Sequence, residues 1–309
     1  MLLKIMKKTL ILLISIFILF ILTNFQSYFK NVKLFKRDNY NHHIEKNVIV
    51  SFTTYKNRLQ TKCVNEMIDS LLNQTIYPFK IVMTLFKEDV KYINNYIQSL
   101  IYKNIIELIV VDIDIKSHKK YFYTMQKYRN YPIITVDDDI VYENTTIESL
   151  LKSYLLYPNY ISARRVHKML FDKKNKLIPY EKWKKEYNKE LNPSFYLFAT
   201  GGAGALYPPN ILNINDNLLP EIYKCLNADD VFLKYLEIKK KIKTIYVKND
   251  NPMGYPNFDP DVQEHALFNL NKFDNDKYIK LFNIVYAEKK YYVSSIILFI
   301  LFFLILIFI

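Results

Sequence analysis

Strand-like and helix-like segments alternate in the central part of the sequence, and this alternation limits the possible folds more than any other feature. Runs rich in β-branched and aromatic residues predict strands, and apolar residues at helical spacing predict helices between them. The predicted strands are 47–54, 80–86, 106–111, 132–136, 160–163 and 194–199, and the predicted helices are 61–73, 90–102 and 146–157. The order is typical of an α/β fold with a mainly parallel sheet and helices on both faces, where ligands bind at the carboxyl ends of the strands.

Two uncharged apolar segments enclose this region. Thr9–Phe25 and Val293–Ile309 each contain 17 residues, a length that spans about 25 Å as a helix, close to the thickness of the hydrocarbon core. We expect an uncleaved anchor within residues 1–37, a folded domain over 38–288 and a second transmembrane helix within 289–309. A signal peptide is the alternative for the first segment, and a buried core helix for the second. The flanking lysines favour a membrane protein whose central domain is cytoplasmic.

Charge and cysteine content exclude several classes of partner. The net charge is +13, but seven basic residues precede the first acidic residue, Asp38, so more than half of the excess lies near the N-terminus. The rest of the chain lacks the strong basic excess of nucleic-acid-binding domains, and no nucleic acid is expected as a partner. Cys63 and Cys225 are too few for a disulfide framework or a zinc cluster, and we predict two buried free thiols.

Three consecutive carboxylates, Asp137–Asp139, follow the fourth predicted strand. Alternate side chains of an extended segment share one face, so Asp137 and Asp139 are expected to point the same way. Two such carboxylates suit one Mg²⁺ or Mn²⁺ ion, whose other ligands are water and substrate phosphates. The alternative is an acidic turn before the next helix.

This segment resembles the DxD motif of glycosyltransferases with the GT-A fold, and the chain resembles the bacterial family-2-like transferases of surface-polysaccharide synthesis. The resemblance extends through most of residues 47–286. It rests on 48–58 (VIVSFTTYKNR), 70–80 (SLLNQTIYPFK), 133–142 (IITVDDDIVY), 157–167 (YPNYISARRVH), 200–209 (TGGAGALYPP) and 227–232 (NADDVF). It implies a Rossmann-like GT-A domain that moves a sugar from a nucleotide-diphosphate sugar to a glycan or lipid-linked acceptor, with Mn²⁺ or Mg²⁺ as cofactor.

The resemblance also implies where the nucleotide-sugar donor binds. Thr54, Tyr55 and Arg58 fall at the end of the first strand, where the family binds the nucleotide. For Arg58 the alternative is a surface side chain after a turn. Lys120 falls where the family often has a basic residue near the donor, and here the alternative is a solvated loop charge.

By the same correspondence, Asp137 faces the ribose and Asp139 binds the metal ion that bridges the diphosphate. Asp138 is assigned to the donor site, but its role is open because three aspartates allow more than one register of the motif. Asp137 is a second candidate metal ligand. His265 and His167 could complete the metal shell or reach the diphosphate, although a lone histidine is more often structural.

Gly201, Gly202 and Gly204 are three of only four glycines in the chain. Clustering so scarce a residue indicates tight backbone geometry or close approach to a ligand. The resemblance places this segment under the donor sugar and the acceptor, so Gly201 and Gly202 are candidate donor-binding residues. A purely structural bulge is the alternative.

Asp229 and Asp230 precede an amphipathic segment, and two acids at a helix start are also ordinary capping residues. The resemblance assigns the catalytic base of an inverting transferase to this pair, with Asp230 as first candidate and Asp229 as second; a retaining reaction remains open.

Tyr180 and Trp183, in the Lys-rich stretch 177–188, could stack on an acceptor sugar or anchor a loop to the core.

Two other functions compete with glycosyl transfer. A nucleotidyl- or phosphotransferase could use the same metal site on a similar sheet and would release pyrophosphate. A non-catalytic membrane protein that binds glycans could retain the scaffold, and its ligand binding would survive Asp139→Asn.

Overall fold

The structure is a computed structural model that describes residues 48–174, 176–251, 254–256 and 275–282. The two predicted membrane segments, Thr9–Phe25 and Val293–Ile309, lie outside these residues, and so does His265. None of the helices within the described ranges combines the length and the apolar character needed to cross a membrane.

Eleven strands and eight α-helices make up the described part of the chain. The strands are β1 (Ile49–Thr53), β2 (Lys80–Phe86), β3 (Ile106–Val111), β4 (Ile133–Thr135), β5 (Ile140–Val141), β6 (Ile161–Ala163), β7 (Val166–Lys168), β8 (Leu197–Ala199), β9 (Ala205–Tyr207), β10 (Thr244–Tyr246) and β11 (Tyr255–Pro256). The helices are α1 (Lys56–Leu59), α2 (Cys63–Leu72), α3 (Asn95–Tyr102), α4 (Lys119–Lys127), α5 (Thr146–Leu156), α6 (Leu219–Ile222), α7 (Asp229–Lys239) and α8 (Asn275–Leu281).

Seven strands form the main sheet in the order β10-β6-β9-β4-β1-β2-β3. Six of them run parallel, and β9 alone runs antiparallel to both of its neighbours, β4 and β6. The predicted mainly parallel mixed sheet is therefore confirmed. Two small antiparallel pairs, β5 with β11 and β7 with β8, stand outside it.

Helices cover the sheet on both faces, as its strand sequences require. In β1 both alternating sets of side chains are buried, with Ile49 and Ser51 on one face and Val50 and Phe52 on the other. On the first face the Ser51 hydroxyl bonds the Thr124 hydroxyl of α4 at 2.7 Å. This helix packs across β1, β2 and β4, so its first turn comes to lie at the carboxyl edge of the sheet.

The reversed direction of β9 brings a second segment to the same edge. In the register of the sheet, Thr135 at the end of β4 lies beside Ala205 at the start of β9. The glycine-containing segment that leads into β9 therefore meets the aspartates that follow β4. Gly204, with φ of +96°, supplies a left-handed turn between this segment and β9 that residues with a side chain rarely adopt.

Two predicted elements differ from the observed ones. The helix expected over 90–102 is a 3₁₀ helix, Lys87–Tyr92, followed by α3, because the Asn94 side chain accepts a bond from Ile97 N–H at 2.9 Å and begins a new helix. The segment 194–199 yields only the short β8, which pairs with β7 rather than joining the main sheet. Cys63 and Cys225 are buried free thiols, as predicted.

A buried ion pair attaches α7 to β8 and β10. The Lys234 ammonium donates to the Leu197 carbonyl at 2.7 Å and to the Glu237 carboxylate at 2.9 Å, and the Thr244 hydroxyl donates to the same carboxylate oxygen. Both charged side chains are 1% exposed. Each charge is therefore compensated only as long as the other is present.

We expect Lys234→Met to lower the free energy of unfolding by about 3–5 kcal/mol, because it leaves the Glu237 carboxylate buried without its cation. Urea unfolding followed by the fluorescence of Trp183, the single tryptophan, measures the loss. Lys239→Met, at the end of the same helix, is the control and should change stability by less than about 0.5 kcal/mol. Equal losses in the two variants would contradict the assignment.

Candidate active site

The Lys120 ammonium joins two acidic segments at the carboxyl edge of the sheet. Its Nζ lies 2.7 Å from Asp137 Oδ1 and 2.7 Å from Asp229 Oδ2. Lys120 occupies the first turn of α4, and the residue is 3% exposed. The alternative of a solvated loop charge is therefore wrong, and the first contacts of Lys120 are carboxylates of the protein itself.

The same ammonium separates the acidities of Asp229 and Asp230. Burial disfavours the charged form of Lys120, but the carboxylates of Asp137, Asp229 and Asp230 outweigh it and hold the pKa of Lys120 well above its usual range. Burial raises the pKa of Asp229, yet the Lys120 ammonium more than offsets this, and the pKa of Asp229 is lowered. Burial, followed by the charge of Asp229, raises the pKa of Asp230 to about 7. Opposite shifts of this kind in neighbouring carboxyls are typical of acid–base sites.

A backbone N–H of the glycine-containing segment holds the Asp230 carboxyl in place. Gly201 N–H donates to Asp230 Oδ1 at 2.9 Å, and a side chain at Gly201 would press against that oxygen. A Cβ at Gly202 would overlap the Asp137 carboxylate. The absence of side chains at Gly201 and Gly202 therefore lets both acidic segments approach the same backbone, as the scarcity of glycine indicated.

Tyr142 joins the same two segments, and sequence reasoning did not single it out. Its hydroxyl accepts a bond from Asp137 N–H at 2.8 Å and donates to the Gly202 carbonyl at 2.5 Å. The side chain is buried. The only available signal was a tyrosine directly after the apolar strand β5, which is too common a pattern to identify it.

The Arg58 guanidinium binds the other two aspartates of the motif. Its Nη1 lies 3.3 Å from Asp138 Oδ1 and 2.9 Å from Asp139 Oδ2. The chain turns at Asp138–Asp139 instead of continuing extended. The expectation of an extended segment through Asp139 is therefore wrong, and within the protein the two acids bond different cations, Asp137 bonding Lys120 and Asp139 bonding Arg58. Arg58 is 5% exposed, so the surface alternative is wrong as well.

The end of β1 surrounds this second ion pair. Thr54 is buried and its hydroxyl is one of the groups that lower the pKa of Asp138. Burial raises the pKa of Tyr55, and the bonded Arg58 opposes that shift. Burial outweighs Arg58 at both acids, so the pKa of Asp138 rises to about 6 and that of Asp139 is also raised.

His118 is a buried residue that stabilises the site through hydrogen bonds. It is buried, its Nε2 lies 3.0 Å from the Cys225 carbonyl, and its Nδ1 lies 2.7 Å from the Tyr121 hydroxyl. A carbonyl only accepts, so Nε2 carries the proton and Nδ1 accepts from Tyr121. Burial lowers the pKa of His118 and keeps the ring neutral. No sequence pattern predicted that His118, which lies in a polar stretch, would be buried and hydrogen-bonded at the site.

Two other candidates pack against the core. His167 accepts a bond from Glu186 N–H at 3.1 Å and lies against Phe198, so it does not join the aspartates. Trp183 is 3% exposed and donates from Nε1 to the Ile178 carbonyl at 2.9 Å. Of the two alternatives for Trp183, anchoring the loop is correct.

The residues at this edge fit a divalent cation. Their carboxylates, Asp137–Asp139 and Asp229–Asp230, face two buried cations, and Asp138 Oδ2 is buried without a hydrogen-bond partner among the residues that the structure describes. The excess negative charge and the oxygen donors suit Mg²⁺ or Mn²⁺. Within the described ranges no three His, Cys, Asp or Glu side chains converge closely enough to hold a metal alone. Such a cation would therefore need ligands from the substrate as well.

An open cleft of about 690 Å³ adjoins the site at Tyr142. Its walls are mainly polar and include Asn144, Asn249 and the exposed ring of Tyr255. This volume is within the range of small-molecule sites. Space for a polar ligand therefore lies against Tyr142, and none of the five site aspartates lines it.

No protein-family model matches the sequence, and no curated protein matches it either. Several solved structures superpose in part. CMP:2-keto-3-deoxy-manno-octonic acid synthetase complexed with CTP gives a TM-score of 0.42 at 12% identity, over 65% of this chain and 89% of the other. The 4-diphosphocytidyl-2C-methyl-D-erythritol synthase of Anaerococcus prevotii gives 0.44 at 11% identity, over 73% and 99%. S. aureus TarS (residues 1–349) gives 0.43 at 16% identity, over 72% and 63%. Likeness at this level identifies neither a family nor an activity.

We expect Lys120→Met to destabilise the protein in a pH-dependent way. Near neutral pH the variant leaves Asp137 and Asp229 without their cation and should lose about 3–5 kcal/mol of unfolding free energy. The lowered pKa of Asp229 stabilises the wild-type fold above the pKa of an unfolded aspartate and is lost as the pH falls. The difference between variant and wild type should therefore shrink as the pH falls below about 4.

Urea unfolding across this pH range measures the difference. Lys127→Met removes a 54% exposed lysine of the same helix, paired with Glu107, and should cost no more than about 1 kcal/mol. A loss for Lys120→Met that is the same at every pH would show that packing, not charge, explains the role of Lys120.

Proposed function

We propose that this protein is a membrane-anchored glycosyltransferase of the GT-A type, which transfers a sugar from a nucleotide-diphosphate sugar to a glycan or lipid-linked acceptor. The observation that carries the proposal is the division between Asp229 and Asp230 at the carboxyl edge of the sheet. Asp229 is buried and paired with Lys120, whereas Asp230 is partly exposed and has a pKa of about 7. A carboxyl of that acidity can accept a proton at neutral pH.

Asp230 acts as the general base of an inverting reaction. It takes the proton of the acceptor hydroxyl while the hydroxyl oxygen bonds to the anomeric carbon. The bond from that carbon to the diphosphate oxygen breaks, and the leaving diphosphate takes the electron pair. Gly201 N–H orients the carboxylate through its 2.9 Å bond to Oδ1, so the second oxygen is the one that faces the acceptor.

The donor side is formed by the end of β1 and by the aspartates. Tyr55 and Arg58 lie where a nucleotide would approach, and Arg58 keeps Asp138 and Asp139 together. Asp139 and Asp137 would hold Mn²⁺ or Mg²⁺, which supplies Lewis-acid stabilisation of the leaving diphosphate when it is bound. Asp137 is 38% exposed and remains accessible while it bonds Lys120.

The two rival functions make different use of these residues. A nucleotidyl- or phosphotransferase directs its nucleophile at phosphorus, and one whose nucleophile is a hydroxyl could use the same base. A non-catalytic glycan-binding protein needs no carboxyl with a pKa near neutrality, and keeping the partly buried Asp230 beside Asp229 would only cost stability. The acidity of Asp230 therefore favours an enzyme, and the products distinguish glycosyl transfer from attack on phosphorus.

Product analysis tests the proposal. Full-length protein in detergent is incubated with UDP-, GDP- and CMP-sugars, with Mn²⁺ or with EDTA, in the presence of membrane lipid extract as acceptor source. We expect release of the nucleoside phosphate from one donor, dependent on Mn²⁺ and reduced by a factor of about 10²–10⁴ in Asp230→Asn. Asp139→Asn should weaken the response to Mn²⁺.

Asp112→Asn is the matched control, because Asp112 is 84% exposed and follows a strand at the same edge without contacting the site. It should keep full activity. In a parallel incubation with a nucleoside triphosphate and a sugar 1-phosphate, release of pyrophosphate would establish the nucleotidyltransferase function. Undiminished ligand binding by Asp139→Asn without any turnover would favour the glycan-binding protein.

The rate should depend on pH through Asp230. Only the ionised carboxylate accepts a proton, so kcat/KM should rise with pH and level off above about 7. Asp229→Asn removes the charge that, after burial, does most to raise the pKa of Asp230 and frees Lys120 to attract it. Both effects should move the midpoint to lower pH, by about one pH unit or more. An unchanged or higher midpoint in this variant would assign the titration to another group.

A further inference from the structure

A basic cluster lies beside Asp230 and has no part in the proposed reaction. Arg165 directly precedes β7, and its carbonyl accepts a bond from Thr200 N–H at 3.1 Å. The next residue, Gly201, donates its N–H to Asp230. Two adjacent backbone groups therefore connect Arg165 to the candidate base, so both residues belong to one side of the site.

Tyr180 continues this surface. Its ring packs against Trp183 and Phe198, with centroids 4.9 Å and 5.8 Å away. Burial and then the charge of Asp230 raise the pKa of Tyr180, whereas Arg165 lowers it. The phenol is therefore within electrostatic range of both Asp230 and Arg165.

A second cation lies on the Tyr180 ring. Lys185 Nζ is 3.0 Å from the ring centroid. The neighbouring Glu186 N–H donates to His167 Nδ1 at 3.1 Å, which fixes this part of the loop against β7. Burial, followed by Arg165 and Lys185, lowers the pKa of His167 to about 3 and keeps that ring neutral. His167 is thus a positioning residue for the loop that carries Lys185.

The charges of Arg165 and Lys185 are only partly compensated. Arg165 pairs with Glu186 at 3.2 Å, but its Nε is buried and finds no hydrogen-bond partner in the described part of the chain. Lys185 makes no ion pair with the described residues. Burial and then Arg165 lower the pKa of Lys185 to about 8. The fold holds these cations close together although they repel, and an anion between them would relieve the repulsion.

We propose that Arg165 and Lys185 form a phosphate-binding subsite beside Asp230, with the Tyr180 ring as its floor. Arginine offers planar N–H donors to a phosphate and lysine a compact charge, so the pair supplies two kinds of donor that phosphate oxygens accept. The proposal rests on the proposed transferase function. The phosphate belongs either to a phosphorylated acceptor or to the diphosphate of the donor, and the chemistry of the subsite is the same for both.

Protection of Lys185 from acylation tests the subsite without requiring turnover. Full-length protein is treated with acetic anhydride near pH 8, and acetylation of each lysine is quantified by mass spectrometry. Inorganic phosphate is the probe, and sodium chloride of equal ionic strength is the reference. We expect phosphate at about ten times its dissociation constant to slow acetylation of Lys185 by about tenfold. The adjacent Lys184, whose Nζ lies near the Tyr187 ring instead, is the internal control and should be unaffected.

Arg165→Gln should abolish the protection, and Arg165→Lys should retain part of it. If Arg165→Gln does not fold, the comparison of Lys185 with Lys184 in the wild type still decides the question. No protection of Lys185, or equal protection of both lysines, overturns the subsite.

A second arm identifies the source of the phosphate. UDP, GDP and CDP are each added with Mn²⁺, and phosphate is then added on top. Protection by a nucleoside diphosphate alone, with no further effect of phosphate, supports a subsite for the donor diphosphate. Further protection by phosphate supports a phosphorylated acceptor.

The subsite and the proposed function can fail independently. Protection without any glycosyl transfer would leave the subsite standing and refute the function. Glycosyl transfer without protection of Lys185 would refute the subsite and leave the proposed function standing.

Discussion

The buried ammonium of Lys120 is the interaction on which the rest of the site depends. It lies between Asp137, which follows a strand of the sheet, and Asp229, which begins α7. The Asp229 carboxylate could not be kept charged at its depth without this ammonium, because burial raises the pKa of an unpaired acid. Its place in the first turn of α4 also fixes the geometry, since that helix packs across the centre of the sheet. One cation thus holds together three elements that are far apart in sequence.

Arg58 forms a second arrangement of the same kind with the neighbouring aspartates. It pairs with Asp138 and Asp139, so the three consecutive aspartates are divided between two cations from different helices. This explains how the fold tolerates three adjacent carboxylates that repel one another. Compensation is still incomplete, because the pKa values of Asp138 and Asp139 stay raised and one oxygen of Asp138 has no hydrogen-bond partner within the described ranges. That residual negative charge is what suits the site to a cation arriving with a substrate.

Local patterns predicted the sheet well and the electrostatics of the site poorly. The strands β2 and β3 have the predicted bounds, because runs such as KIVMTLF are apolar over the length of a buried strand. The glycine cluster was identified because glycine is scarce in the rest of the chain. The burial of Arg58 and Lys120 was not predictable, since their neighbours in sequence are polar and their partners lie elsewhere in the chain. Asn94 was the sequence signal for the break in the predicted helix before α3, because asparagine is a favourable N-cap residue within an otherwise continuous helical pattern.

The pairing of Lys120 with Asp229 also explains why two adjacent aspartates are needed where a single base would seem enough. A lone aspartate at the start of α7 would be attracted by Lys120 and would remain a weak base at neutral pH. With Asp229 in contact with the ammonium, Asp230 is left with burial and a neighbouring negative charge, and both raise its pKa. Gly201 N–H opposes this only in part and fixes the direction of the carboxyl. In the proposed reaction, Asp229 therefore sets the acidity of Asp230, and the missing side chain of Gly201 sets its position.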